Sequence, residues 1–367
     1  MGGPVRSALR VGIVGAGNIS GQYSASLARL PQLQVTAVCD LDTERATALA
    51  SAHDARVLAL PELLESDVDV VLVLTLPASH ADVGHAAIAA GKHVYVEKPL
   101  ATSVAQGREL VKAAAEAGVR LGCAPDTVLG TGVQTARAAV DAGRIGRPHA
   151  ATAFMTTPGH ERWHPNPDFY YQPGGGPLLD MGPYYLTSLV HLLGPVVSVT
   201  GASSRPQATR TIGSGPRAGE TFDVDTDSTV VGILQHASGA LSTLVMTFDV
   251  WAARLPRIEV HGTEGSLSVP DPNMFDGAVE LFPAGGTEWA DLGATAGYLD
   301  AGRGYGVADL ALAVADGRAH RAGDEIALHV LEVMEAVAQA AESRSWIDLT
   351  TTCERPEPVP GVVDLTA

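Results

Sequence analysis

Val11-Gly12-Ile13-Val14-Gly15-Ala16-Gly17-Asn18-Ile19-Ser20, with Asp40 closing the next apolar run, decides how the first third of this chain folds. An apolar strand over 9–14 feeds a glycine turn, a helix follows over 18–29, and a second strand over 34–39 ends at Asp40. Glycines in such a turn let the backbone approach a pyrophosphate, and the first amides of the helix meet its charge. Ser20 stands where the pattern ordinarily has a third Gly or Ala. Asp40 lies about 20 residues past the turn, where a carboxylate accepts hydrogen bonds from the adenosine ribose hydroxyls. The same carboxylate repels a 2′-phosphate, and the next cation is Arg45, so NAD is expected rather than NADP. The residues expected to hold it are Gly15, Gly17, Asn18, Ile19 and Asp40. A glycine triplet alone is a weak signal in a chain with 40 glycines, so the strand-helix-strand context carries the reading.

The alternation continues as a short strand at 57–59, a helix at 60–66, an apolar strand at 68–74, a helix at 80–90, a strand at 93–97, a helix at 102–117 and a strand at 120–123. Unbroken apolar runs such as Val70-Val71-Leu72-Val73 mark strands covered on both faces of a parallel sheet. Ligands of such sheets sit at the carboxyl ends of the strands, here the loops after Val14, Cys39, Leu74, Val96 and Cys123. Beyond Ala124 the pattern changes to a helix at 133–142, a strand at 149–155, an aromatic Pro-rich loop through Tyr171 and a helix ending near Leu193. Strands at 229–234 and 240–248, then 257–261 and 266–269, flank turn sequences and predict two hairpins, and a helix at 325–341 follows. The expected fold is α/β: a doubly wound parallel sheet over 1–124, then an α+β domain over 125–367 with a large open, mainly antiparallel sheet. The open face of that sheet is expected to be apolar. Monomers avoid exposing such a patch, so a homodimer or homotetramer through this sheet is expected.

The chain has 367 residues and a net charge of −17 with no basic cluster, which argues against nucleic acid or an anionic membrane as a partner. No apolar run reaches the length of a membrane span, and the stretch 1–10 lacks the apolar centre of a signal peptide. Cys39, Cys123 and Cys353 are far apart and odd in number, which suits free thiols in a reducing compartment, so a cytoplasmic location is expected.

Three further motifs lie downstream. Glu97-Lys98-Pro99-Leu100 ends a predicted strand on the same sheet edge as the glycine turn, Thr75-Leu76-Pro77-Ala78-Ser79-His80 follows another, and Gly174-Gly175-Gly176-Pro177-Leu178-Leu179-Asp180-Met181-Gly182 lies in the second half. Together with the amino-terminal turn they resemble the Gfo/Idh/MocA family of oxidoreductases over nearly the whole chain. The resemblance implies a Rossmann domain, a second α/β domain and a substrate pocket between them. It implies chemistry at a hydroxyl carbon of a sugar or polyol. Carried over by position, Thr75, Pro77, His80, Glu97 and Lys98 join the cofactor residues, Lys98 is the active-site lysine, and Asp180 is the aspartate of the second-domain motif. The family often has His four residues after that Asp; this chain has Tyr184.

Hydride leaves a secondary alcohol only as the hydroxyl proton is removed, so a base must lie within hydrogen-bond reach of that oxygen. Lys98 and Tyr184 form one such relay. Tyr184 reads equally as a packed aromatic, and Lys98 also reads as a structural ion pair with Glu97 or Asp180. Asp180 and Tyr184 share a face if their segment is helical, although Pro183 opposes a straight helix. His164, in the loop Gly159-His160-Glu161-Arg162-Trp163-His164-Pro165, is the other candidate base and a candidate substrate ligand. His160 and His164 have helical metal-pair spacing, but the surrounding Pro158, Gly159, Pro165 and Pro167 disfavour a helix, and no metal is expected. Trp163, Tyr170 and Tyr171 offer faces to a sugar ring or pack on one another as a lid. The resemblance also puts Asp126, just past the last strand of the parallel sheet, at the pocket wall, where many members carry an Asn or Arg.

The sequence therefore predicts an NAD-dependent oxidoreductase of a secondary hydroxyl or ketone on a sugar, sugar derivative or cyclitol, with Lys98, Asp180 and either Tyr184 or His164 handling the proton. The alternatives are an NAD(P)H-dependent sugar ketoreductase of a biosynthetic pathway, a glycoside-cleaving enzyme that oxidises transiently, and an NAD-sensing regulatory protein without catalysis.

Overall fold

The structure, a computed structural model, describes residues 8–367; Met1–Ser7, most of the stretch read above for a leader, lie outside the described residues. Strands β1 (Leu9–Val14), β2 (Leu33–Cys39), β3 (Arg56–Val57), β4 (Val70–Val73), β5 (His93–Val96) and β6 (Leu121–Cys123) form one sheet. Its order is β3-β2-β1-β4-β5-β6 and every neighbouring pair is parallel. The order reverses between β1 and β4, and ligands of such sheets bind at the carboxyl ends beside that reversal.

Helices α1 (Ser20–Leu27), α2 (Thr43–Ser51), α3 (Leu60–Glu65), α4 (His80–Ala89) and α5 (Val104–Ala117) connect these strands. Side-chain caps fix two of their starts: Asp42 accepts from the amides of Glu44 and Arg45, and Ser103 from that of Gln106. Along β4, Val70 and Leu72 enter one apolar cluster while Val71 and Val73 enter another. A strand that alternates between two cores is covered on both faces, as its unbroken apolar run predicts.

Contacts divide the chain into two compact units, and the first comprises residues through Gln134 together with Ala296–Leu331 and Pro356–Ala367. This differs from a single cut at Ala124. The reason is α8 (Tyr305–Asp316), whose Tyr305, Val307, Ala308 and Leu310 share a core with Val11 and Ile13 of β1. Short strands β17 (Gly297–Tyr298) and β19 (Val362–Val363) pair in the same unit.

The second unit comprises Thr135–Thr295 and Glu332–Arg355. Its sheet has the order β16-β15-β14-β13-β7-β12-β11-β8-β18. The strands are β7 (Pro148–Thr156), β8 (Val196–Ser204), β11 (Thr229–His236), β12 (Leu241–Thr247), β13 (Ile258–Gly262), β14 (Gly265–Val269), β15 (Glu280–Pro283), β16 (Ala290–Asp291) and β18 (Ile347–Asp348). β11 with β12 and β13 with β14 are the two expected hairpins, whereas the central pair β7 and β12 runs parallel. A separate hairpin joins β9 (Thr209–Thr211) to β10 (Thr221–Asp223).

Helix α7 (Pro177–Leu193) packs on β7, β11 and β12 and continues through Pro183. Helix α6 (Thr131–Asp141) precedes β7, and α9 (Asp324–Ser343) follows α8. In β11, Val230 and Leu234 are buried while Val231 and Ile233 are exposed, as is Leu241 at the start of β12. Thr152 and Thr243 share that outer face, so it is mixed rather than wholly apolar. Among the described residues no helix is long and apolar enough to cross a membrane.

Candidate active site

In the first unit the glycine turn follows directly from the strand. Gly15 has φ +104°, and a Cβ on it would lie 2.6 Å from the carbonyl carbon of Leu74, so only glycine fits. A Cβ on Gly17 would meet nothing within 4 Å, which leaves its backbone open to a ligand. Ser20 is buried and its hydroxyl donates to Gly17 O at 2.7 Å, so a serine in place of the third glycine ties the turn to the first residue of α1. Asn18 is exposed at the tip of the turn and Ile19 is half-buried beside it. At the start of α1 the Ser20 amide donates to Gly17 O at 3.1 Å and the Gln22 amide to Ile19 O at 3.0 Å, which closes the turn onto the helix. Asp40 ends β2 and spans two loops: Oδ2 accepts from the Ala16 amide at 2.5 Å and Oδ1 from the Asp42 amide at 2.8 Å. Leu41 and Leu76, the exposed apolar residues after Asp40 and Thr75, offer surface suited to a base. Their signal in the sequence was position alone.

Glu97 and His80 are buried and bind protein groups. The Tyr23 hydroxyl donates to Glu97 Oε1 at 2.8 Å and the Lys98 amide to Oε2 at 2.8 Å, which fixes the backbone that presents half-buried Lys98. His80 is fully buried, with Nδ1 2.7 Å from Pro99 O and Nε2 3.0 Å from Thr75 O, and burial lowers its pKa. It pins the Thr75 loop to the Lys98-Pro99 loop. Thr75 is half-buried and Pro77 is exposed, opening a short 3-10 turn.

Asp126 requires a correction. It is fully buried and accepts from the amides of Gly304 at 2.7 Å and Gly306 at 3.0 Å, capping α8, and desolvation raises its pKa. A side chain spent on a helix start cannot line a substrate pocket. The sequence did not show this because its partners lie far downstream.

In the second unit the aromatic loop and α7 meet. His160, on a single 3-10 turn, places Nε2 2.8 Å from Asp180 Oδ2. Its ring packs against Tyr170 and Phe248, each with centroids 4.5 Å away, and against Trp163 at 5.2 Å. His164 lies among Trp163, Phe169 and Tyr170, burial lowers its pKa, and its Nδ1 accepts the Asn166 amide at 3.1 Å. The two histidines therefore bind different partners. Trp163 and Phe169 remain exposed, while Tyr184 lies on α7 with 5% of its surface accessible.

Behind this loop is a buried ionic chain. Arg210, from the β9-β10 hairpin, bridges Glu161 at 2.8 Å and Asp249 and lies over the Tyr171 ring. The Tyr171 hydroxyl donates to Glu161 and accepts the His160 amide at 3.2 Å. Tyr171 is thus a clamp rather than a sugar platform. Burial and the adjacent Glu161 carboxylate raise its pKa.

Comparison with known proteins shows the family of the chain. Residues 9–124 match the model of the oxidoreductase family NAD-binding Rossmann fold, and residues 133–268 match that of the GFO/IDH/MocA C-terminal domain. The chain belongs to the GFO/IDH/MocA oxidoreductase family. It is 32% identical to a 1,5-anhydro-D-fructose reductase of Ensifer adhaerens over 70% of this chain and 74% of the relative. It is 31% identical to a dTDP-3,4-didehydro-2,6-dideoxy-alpha-D-glucose 3-reductase of Streptomyces violaceoruber over 75% and 84%, respectively. An NAD binding oxidoreductase from Klebsiella pneumoniae superposes with a TM-score of 0.81 at 25% identity, covering 94% of this chain and all of the other.

This GFO/IDH/MocA chain is thus an oxidoreductase with an NAD-binding Rossmann domain, and its residues fit the dinucleotide. Gly17 leaves its side open, Gly15 cannot carry a side chain, and Asp40 stands at the end of β2. Sequence reasoning missed His160 as the partner of Asp180 because their 20-residue separation bridges a loop and a helix. Only the imidazole itself, in a loop just ahead of the glycine cluster, signalled it.

Proposed function

We propose that this chain transfers hydride between NAD and a secondary hydroxyl or ketone of a sugar, sugar derivative or cyclitol. The observation that carries this reading is the imidazole-carboxylate pair of His160 and Asp180, 2.8 Å apart beside exposed aromatic rings, in a chain that also bears a dinucleotide fingerprint. Two of the relatives carry names of sugar reductases, which supports both the substrate class and the ketone-reducing direction. Bound NAD supplies the hydride acceptor. Gly15, Gly17, Asn18 and Ile19 hold its pyrophosphate, and Asp40 receives its ribose and disfavours a 2′-phosphate. Lys98 donates to the reacting oxygen, Asp180 serves the proton, and Trp163 and His164 border the sugar.

The test is absorbance of reduced nicotinamide with NAD and a panel of sugars and cyclitols, alongside Lys98→Met. Turnover by wild type and its loss in the variant support the reading. No signal from any member with NAD, or with NADH and the matching ketones, contradicts it. We further propose that a second copy of the chain covers the outer face of the large sheet, where Val231, Ile233 and Leu241 are exposed, and that the enzyme is cytoplasmic. Light scattering that finds only monomer refutes the first of these.

A further inference from the structure

We propose that Asp180 is the group that takes the substrate hydroxyl proton, with His160 as its positioning residue through a fixed Nε2–H donor. This rests on the reading that the chain acts on a secondary alcohol, and it assigns the proton differently from the sequence, which pointed to Tyr184 or His164.

The argument begins with lone pairs. A neutral imidazole has one accepting nitrogen. In His164 that nitrogen is Nδ1, and it already accepts the Asn166 amide, so Nε2 carries the proton and this ring donates. In His160 the Nδ1 atom is buried with no hydrogen-bond partner, while Nε2 faces Asp180 Oδ2 at 2.8 Å. A proton on Nδ1 would bury an unsatisfied N–H among the rings of Trp163, Tyr170 and Phe248 and set two lone pairs against each other at Nε2. A proton on Nε2 makes a charge-assisted bond to the carboxylate instead. His160 is therefore a donor with no accepting position facing Asp180, and the acceptor of the pair is the carboxylate.

The loop is built to hold this tautomer. Tyr171 receives the His160 amide, Glu161 receives the Tyr171 hydroxyl, and Arg210 locks Glu161 to Asp249. Gly159 has φ +105°, and a Cβ there would lie 2.2 Å from Glu161 Oε2, so the clamp closes only over glycine. Ionisable groups near His160 include His164 and Tyr170 of the loop, with Glu161, Tyr171 and Arg210 behind it, and Tyr184 follows Asp180 by one turn of α7. In the step itself the substrate O–H bond breaks, its proton passes to Asp180, and its electrons form the C=O bond. The C–H bond breaks at the same carbon, and that electron pair leaves with hydrogen as hydride to oxidised NAD.

The test combines kinetics with a measurement that needs no substrate. Asp180→Asn is expected to lower kcat about 1,000-fold with NADH binding by fluorescence within about threefold, and to cost more than Tyr184→Phe. His160→Leu is expected to lower kcat about 30-fold and to raise the acidic limb of the kcat/KM profile by about one pH unit, because the carboxylate loses its donor. His160→Gln, whose amide can donate from the same place, is expected to restore most of both. Imidazole 15N–1H correlation on the enzyme alone, assigned by the signal lost in His160→Gln, is expected to show the proton on Nε2. A proton on Nδ1, an Asp180→Asn enzyme above a tenth of wild-type kcat, or a pH shift in His160→Leu that Gln does not reverse overturns the inference. Wild type inert toward every sugar with the Nε2 tautomer present instead overturns the reading of function on which it rests, and the proton role with it.

Discussion

Replacing Arg210 with Met is the sharpest structural test of the second unit. Arg210 is 5% exposed, bonded to Glu161 and Asp249 and stacked on Tyr171. Removing one partner of a buried ion pair costs about 3–5 kcal/mol, because the remaining charge is stranded in a poor solvent. Asp249 keeps hydroxyl donors from Ser228 at 2.8 Å and Thr229 at 2.7 Å and Glu161 keeps one, the Tyr171 hydroxyl, so Glu161 is the less compensated of the two and the lower half of that range is favoured. For a unit of this size each kcal/mol lowers Tm by roughly 2–4 °C, so about 3–4 kcal/mol gives a loss of roughly 6–16 °C. Calorimetry reads it directly. Glu161→Gln in the same chain removes the stranded charge, so the double variant should recover at least about 1 kcal/mol relative to the sum of the singles. The reasoning is refuted if Arg210→Met melts within about 2 °C of wild type, or if the two substitutions are additive.

Gly15→Ala puts a methyl against the Leu74 carbonyl at a positive φ; backbone strain of about 1–3 kcal/mol at the cradle should weaken NADH binding about tenfold or more in a fluorescence titration. Asp40→Ala removes the ribose acceptor and the repulsion of a 2′-phosphate, so the ratio of NAD to NADP affinity should fall by about 10- to 100-fold, equivalent to about 1.4–2.8 kcal/mol; an unchanged ratio contradicts its role. His236 is 1% exposed, bonded to Gly194 O and the Ser242 hydroxyl, and burial lowers its pKa to about 4. Since the unfolded chain binds that proton first, the stability from His236 is present above about pH 6.5 and is lost as pH falls toward 4, about 3 kcal/mol in all. His236→Gln should flatten that part of the stability profile in urea melts, and an unchanged acid slope would count against the assignment.

Much of the first unit was legible because its information is local. The apolar runs of β1 and β4, the glycines at the first turn and Asp40 each declare themselves within a few residues. What was not legible depends on distant partners. α8 is apolar enough to pack anywhere, and nothing near it in the chain says that it covers the face of β1. The parallel pairing of β7 with β12 was hidden because only hairpins announce their partners through a turn. At the site, a partner for Asp180 was sought four residues along a helix, at Tyr184, whereas His160 comes from a loop 20 residues earlier. Asp126 was misread for the same reason. Its position at a strand end suited a pocket wall, while the amides of Gly304 and Gly306 that it caps lie 178 and 180 residues away.

Transfer of the carbon-bound hydrogen from substrate to cofactor tests the central claim most directly. The enzyme is incubated with NAD and sugars or cyclitols deuterated at their secondary carbinol positions, and the mass of the nicotinamide product is measured. The account predicts NADH carrying one deuterium with at least one member of the panel, and none after Lys98→Met. NADH without label, or cleavage of a glycoside with no labelled NADH and no net oxidation, contradicts it.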